Sequence, residues 1–102
     1  MAEFICFVKA DMTKEAENKL KADFDVAAKQ SITVRDASSL EIKTKQPGSF
    51  FYIRGSDEGI KRCQEILDEF VTKESDDVLG AAKKKIIEKE DAAASGFGSI
   101  FG

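Results

Sequence analysis

The stretch that decides the fold is FFYIRGSDEGIKRCQEIL, residues 50–67, in which an extended run changes into a helix. Its first part, from Phe50 to Arg54, is aromatic and β-branched and predicts a strand. Ser56 stands at an N-cap position ahead of two acidic residues, which suit the positive end of a helix. Apolar residues then recur at helical spacing: Ile60, Cys63, Leu67 and Phe70.

Two shorter runs before this stretch alternate apolar and polar residues, as strands with one wet face do. They cover residues 31–35 and 40–45, and residues 36–39 between them are turn formers. A second turn at Pro47 and Gly48 leads into the aromatic strand. The pattern predicts a three-stranded meander over residues 31–54.

The first third of the chain predicts a strand and a helix. Residues 4–8, FICFV, form a short apolar run that is typical of a central strand buried on both faces. A helix then follows, capped by Asp11 or Thr13. Its apolar stripe comprises Met12, Ala16, Leu20, Phe24 and Ala28.

The last third begins with another cap, Ser75, followed by an apolar stripe of helical spacing from Val78 to Ile86. Residues 92–102 change to small residues with three large apolar ones, Phe97, Ile100 and Phe101. We therefore expect one α+β domain over residues 1–91 and a flexible C-terminal tail over residues 92–102. The domain is predicted to hold a three- or four-stranded, mainly antiparallel sheet with two or three helices packed on one face.

Composition removes most catalytic chemistry. The 102 residues contain no histidine, which excludes most nucleophile–base pairs and most zinc and iron sites. The seven glycines match neither a Walker loop nor a dinucleotide-binding turn. The acidic residues Glu74, Asp76 and Asp77 lack the ligand stagger of a calcium loop, and helix capping explains Asp76 and Asp77. We expect no enzyme activity, no cofactor and no metal.

Cysteine usage and the start of the chain indicate a compartment. Cys6 and Cys63 lie in apolar runs and are too few for a disulfide scaffold, so reduced, buried thiols are expected. The start has no basic region, and its longest apolar run is too short for a signal sequence or a membrane span. The expectation is an intracellular, cytoplasmic protein without membrane contact.

The charge is distributed unevenly. The whole chain carries −3, whereas residues 31–54 contain four cations and two carboxylates, a local surplus of +2. If the meander alternates regularly, one sheet face combines cations with two aromatic rings. In other proteins, this combination binds single-stranded nucleic acid. Those candidate residues are Arg35, Lys43, Lys45, Phe50, Tyr52 and Arg54. The alternative is that Phe50 and Tyr52 pack beneath the C-terminal helix or tail while the cations are solvated.

Residues 51–67, FYIRGSDEGIKRCQEIL, resemble the closing strand and helix of KH domains, in which a strand ends in a glycine and a capped amphipathic helix follows. The resemblance covers about a sixth of the chain and implies a KH-like fold. KH domains bind nucleic acid through a GXXG loop, and this chain has no glycine before Gly48. The resemblance therefore implies a divergent domain that lacks this loop.

The tail offers a second candidate surface. Phe97, Ile100 and Phe101 suit the apolar groove of a partner or an exposed sheet edge. Docking on the chain's own domain or on a second copy, and an end without function, stay open. The sequence thus predicts a small non-catalytic binding module that recognises a protein partner or its own second copy through a sheet face and the tail. A divergent KH-like module for single-stranded nucleic acid is the alternative.

Overall fold

The computed structural model describes the backbone of residues 2–101 and the side chains of residues 2–90. In this part of the chain, four strands form one sheet: β1 (Ala2–Lys9), β2 (Ser31–Asp36), β3 (Gly48–Gly55) and β4 (Val71–Thr72). Three α-helices accompany them: α1 (Ala10–Ala22), α2 (Asp57–Leu67) and α3 (Asp76–Phe101). A short 3-10 helix, Ala27–Lys29, connects α1 to β2.

The strand order is β2-β3-β1-β4, and every neighbouring pair is antiparallel. β3 therefore lies between β1 and β2, and β1 lies between β3 and β4. Up to β4, this interleaving of two strand–helix–strand units is the split β-α-β, or ferredoxin-like, arrangement. The predicted α+β class and the antiparallel sheet are confirmed, and β1 is central as expected.

The two faces of the sheet carry separate apolar cores, because side chains alternate along each strand. Phe51 and Ile53 face α1 and α2, whereas Phe50 and Tyr52 face α3. The prediction of two or three helices packed on one face is confirmed by α1 and α2, and α3 packs on the opposite face. An uncovered second face would expose rings whose burial is worth about 2–3 kcal/mol each, so a third helix covers it.

The predicted meander is wrong in its middle strand. Residues 40–45 form a loop, and β2 pairs directly with β3 from Ser31 opposite Arg54 to Asp36 opposite Ser49. The chain turns where the Leu40 N–H donates to the Asp36 carbonyl, and Glu41 has a φ of 58°. This left-handed backbone interrupts an extended strand. Leu40 instead packs in the core beneath α3.

The first helix is shorter than its apolar stripe predicts. α1 begins at Ala10 without a side-chain cap, and Thr13 donates to the carbonyl of Lys9. It ends at Ala22, which leaves Phe24 outside the helix with 76% of its surface exposed. The stripe therefore holds only through Leu20. The caps at Ser56 and Ser75 are confirmed, since each hydroxyl accepts an N–H from the first turn of its helix.

Phe51→Ala and Phe24→Ala test this division between buried and exposed rings. Phe51 is fully buried between the sheet and the helices α1 and α2, so its truncation should lower the free energy of unfolding by about 3–5 kcal/mol. Truncation of the exposed Phe24 should change it by about 0.5 kcal/mol or less. Urea unfolding followed by circular dichroism measures both. Equal losses for the two variants would contradict the described packing.

Candidate functional site

The sheet face that carries Phe50 and Tyr52, candidates from the sequence for stacking nucleic-acid bases, lies under α3. Phe50 and Tyr52 are 0% and 1% exposed. The Phe50 ring packs against Phe7, with ring centroids 5.1 Å apart and planes tilted by 56°. Ala82 and Ile86 of α3 complete this core. Of the two alternatives for these rings, packing beneath the C-terminal helix is the one observed.

Polar side chains attach α3 to the sheet at two places, and Lys85 and Lys89 of α3 also donate to the carbonyls of Leu40 and Ser39 in the loop after β2. At the first, the buried Tyr52 hydroxyl donates to Glu3 at 2.7 Å, and Glu3 also pairs with Lys83 of α3. At the second, Glu90 of α3 accepts from Thr33 at 3.1 Å and from Arg54 at 3.0 Å. Arg54 also lies 5.2 Å from the centre of the Tyr52 ring. Arg54, a candidate for phosphate binding, is thus engaged in holding α3.

Two cations of the predicted set, Lys43 and Lys45, lie close together in the loop between β2 and β3. Lys43 and Lys45 are exposed and line an open depression of about 720 Å³ with Lys73, which follows β4. Its remaining lining residues are Thr44, Glu74, Ser75 and Val78. We call this depression the lysine pocket. It gathers three cations against one carboxylate, and no ion pair within the described side chains involves these three lysines.

A second surface runs along β2, which is the longer of the two edge strands of the sheet. α1 packs on β1 and β3, so Ile32 and Val34 on the helix side of β2 are only partly buried. Between them and α1 lies a groove of about 250 Å³. We call it the β2 groove, and its lining residues are Glu17, Leu20, Lys21, Ile32 and Val34.

The backbone of β2 has a definite outward side. The Ala37 N–H donates to the Gly48 carbonyl at 3.0 Å, in continuation of the β2–β3 register. Hydrogen-bonded positions alternate in an antiparallel pair, so the backbone N–H and carbonyl groups of Thr33 and Arg35 also face β3. Those of Ile32 and Val34 face away from the sheet. The Arg35 guanidinium donates to this outward Val34 carbonyl at 2.9 Å, which places Arg35 on the open edge.

The connection from α1 to β2 is fixed by Asp23. Its carboxylate accepts the Ala27 N–H at 3.1 Å and the Arg62 Nε at 3.0 Å. These two hydrogen bonds hold the pKa of Asp23 below its ordinary value. Phe24 comes directly after Asp23 and is exposed. An exposed aromatic ring therefore lies in the connection between α1 and β2, the two elements that form the β2 groove.

Other candidate chemistry is sparse in the described residues. Residues 2–90 contain no group of three or more His, Cys, Asp or Glu side chains placed to hold a metal ion. Among the helices described, none combines the length and the apolar character that a membrane crossing requires. Cys6 and Cys63 are buried and unpaired, and burial raises the pKa of the Cys6 thiol to about 12.

The predicted tail anchors, Phe97, Ile100 and Phe101, lie outside the residues whose side chains the structure describes.

Comparison of the chain with family models, curated proteins and solved structures finds no match. The candidate site therefore rests on the geometry of the chain itself.

Sequence reasoning missed the residues that now matter most. The alternation over residues 31–35 predicts that Ile32 and Val34 face the core, and their partial exposure depends on the edge position of β2, which no local pattern reveals. Lys73 joins Lys43 and Lys45 because β4 ends near their loop, and a two-residue strand is too short to recognise in a sequence. The only local signal was the regular alternation of β2.

Glu90→Gln tests the attachment of α3. Removal of the charge weakens the bonds to Arg54 and Thr33, and because the ion pair is partly exposed we expect a loss of about 0.5–1 kcal/mol in unfolding free energy. Amide hydrogen exchange in α3 should accelerate as the helix opens more often. Glu88→Gln, an exposed neighbour on the same helix, is the matched control. Identical exchange in both variants would contradict a fastening role for Glu90.

Proposed function

We propose that this chain is a non-catalytic binding module that holds an extended segment of another polypeptide along β2. The observation that carries the proposal is the edge itself. Ile32 and Val34 present to one side backbone groups that no neighbouring strand pairs, and to the helix face they present partly exposed apolar side chains. The Val34 carbonyl is bonded only to the exposed Arg35 guanidinium of its own strand. Addition of a strand at such an edge supplies main-chain hydrogen bonds, and alternate side chains supply specificity.

The β2 groove adds side-chain recognition to this backbone template. Every second residue of an added strand would lie on the helix side, beside Leu20 and the two partly buried β2 residues. Glu17 and Lys21 flank this apolar floor with opposite charges. The preferred ligand is therefore an extended segment in which apolar residues alternate with polar ones.

Residues 92–102, which the sequence predicts to be a tail and whose backbone continues α3 through Phe101, belong to the same proposal on sequence grounds. Phe97, Ile100 and Phe101 are spaced along small residues, which suits a segment that inserts into a partner. Its contribution is separable from that of β2, because a variant without residues 96–102 keeps β2 and the groove intact.

Selection of peptides tests the edge proposal. A phage library of random heptapeptides selected on the full chain should yield sequences that alternate apolar and polar residues. Val34→Lys should abolish their binding, because a charge then occupies the groove floor. Val71→Lys is the control, since Val71 is an exposed apolar residue on the opposite edge strand. Equal binding to both variants would contradict the proposal.

Hydrogen exchange locates the binding at single amides. In the free chain, the amides of Ile32 and Val34 should exchange rapidly, whereas those of Thr33 and Arg35 are protected by β3. A bound peptide should slow exchange at Ile32 and Val34 and leave the amides that face β3 unchanged. Protection elsewhere, with these two amides unchanged, would move the binding site away from β2.

A second candidate function is binding of single-stranded nucleic acid at the lysine pocket. The observation in its favour is the convergence of Lys43, Lys45 and Lys73. The resemblance of residues 51–67 to KH domains concerns the fold, since the GXXG loop that binds nucleic acid in KH domains is missing here. The pocket is wide and exposed, which suits a phosphate backbone. The buried Phe50 and Tyr52 would take no part while α3 stays in place.

Titration with a fluorescent uridine decamer tests this second candidate. Binding through three phosphates should weaken with salt with a log–log slope of roughly −2, and each of Lys43→Glu, Lys45→Glu and Lys73→Glu should weaken binding and make that slope shallower. Lys61→Glu, an exposed change on α2, is the control and should have less effect. Absence of binding at low salt would eliminate this function.

A further inference from the structure

The β2 edge is complementary to itself. We infer that its partner is β2 of a second copy, aligned antiparallel about a two-fold axis at Thr33. The inference rests on the proposed function of β2 as a strand-binding edge, and it names the occupant. Such pairing would join two four-stranded sheets into one continuous sheet of eight strands.

The register follows from the backbone groups that face outward. An antiparallel ladder joins outward-facing residues of one copy to outward-facing residues of the other, and β2 offers Ile32 and Val34. With Thr33 opposite its own copy, Ile32 pairs with Val34 of the second copy and Val34 with its Ile32. All four residues then exchange their N–H and carbonyl groups across the axis.

The neighbouring registers are worse. An axis at Ile32 places Val34 opposite Gln30, whose side chain is already bound to the Val26 carbonyl and the Ser56 N–H. An axis at Val34 places Ile32 opposite Asp36, whose carbonyl already accepts from Leu40 and whose charge would face an apolar side chain. The axis at Thr33 keeps apolar residues opposite each other on the helix side.

Charges along the β2 groove support the same symmetry. α1 follows β1 and returns toward the start of β2, so it runs opposite to β2 and places Glu17 nearer Val34 and Lys21 nearer Ile32. A two-fold axis at Thr33 exchanges these positions. The Glu17 end of one groove then lies across the axis from the Lys21 end of the other, which makes the charge pattern complementary. Within each copy, Glu17 and Lys21 also form an ion pair of 3.8 Å.

The opposite face of the strand is compatible with pairing. There Thr33 meets Thr33 of the second copy, and Ser31 meets Arg35. In the single chain, the Arg35 guanidinium occupies the outward Val34 carbonyl, and an incoming strand would replace that exposed hydrogen bond. A six-residue strand gives a small interface, so we expect a dimer that depends on protein concentration.

Cysteine cross-linking tests both the partner and the register. Across an antiparallel pair, residues outside the hydrogen-bonded positions have Cα atoms about 4.5 Å apart, within the range of a disulfide. Oxidised Thr33→Cys should therefore form a dimer that doubles the 11.2 kDa mass. Cys6 and Cys63 are buried, with raised pKa values, and should not compete.

Ser31→Cys and Arg35→Cys are the matched controls on the same strand. Neither should cross-link alone, because Ser31 faces Arg35 in this register, whereas a mixture of the two variants should form the heterodimer. Efficient linking of either variant alone would overturn the register. Failure of both Thr33→Cys and the mixture to cross-link would overturn the second copy as partner.

Sedimentation of the full chain separates this inference from the proposed function. Self-association should rise with concentration and be lost in Val34→Lys. A chain that stays monomeric at high concentration, yet gains protection at Ile32 and Val34 from a selected peptide, refutes the second copy and retains the edge function. A chain that shows neither effect refutes both.

Discussion

The pairing of β1 with β3 is the interaction on which the rest of the structure depends. All eight residues of β1 are in register with β3, from Ala2 opposite Gly55 to Lys9 opposite Gly48. Both strands are apolar on both faces, so the pair creates two surfaces that must be removed from water. α1 and α2 cover one of them and α3 the other, because neither set of large side chains would be tolerated in solvent.

This two-sided cover determines where binding is possible. The central strands are closed above and below, which removes Phe50 and Tyr52 from the surface and engages Arg54 in holding α3. Two candidate binding surfaces among the described residues are peripheral: the edge of β2 with its groove and the lysine pocket beside β4. A chain with a buried aromatic sheet thus presents backbone hydrogen-bonding groups and lysines to its surroundings.

Local patterns predicted most elements, and their errors have physical causes. The helix at residues 57–67 was predicted with its cap, because Ser56 and the apolar stripe act within one turn of each other. Residues 40–45 alternate like a strand, but the turn at Glu41 diverts Leu40 and Ile42 into the core under α3. Alternation shows that apolar and polar side chains point in opposite directions. Whether such a segment forms a strand depends on whether a neighbouring strand is placed to pair with its backbone.

The sequence by itself determined the α+β class, the central apolar strand, the capped helices and the absence of imidazole chemistry. These properties depend on composition and on residues a few positions apart. Only the tertiary structure decided that β2 is an edge, that α3 covers the rings and that Lys73 joins Lys43 and Lys45. Each of these depends on which distant segments meet, and contacts between elements far apart in the chain leave no mark on the local spacing of residues.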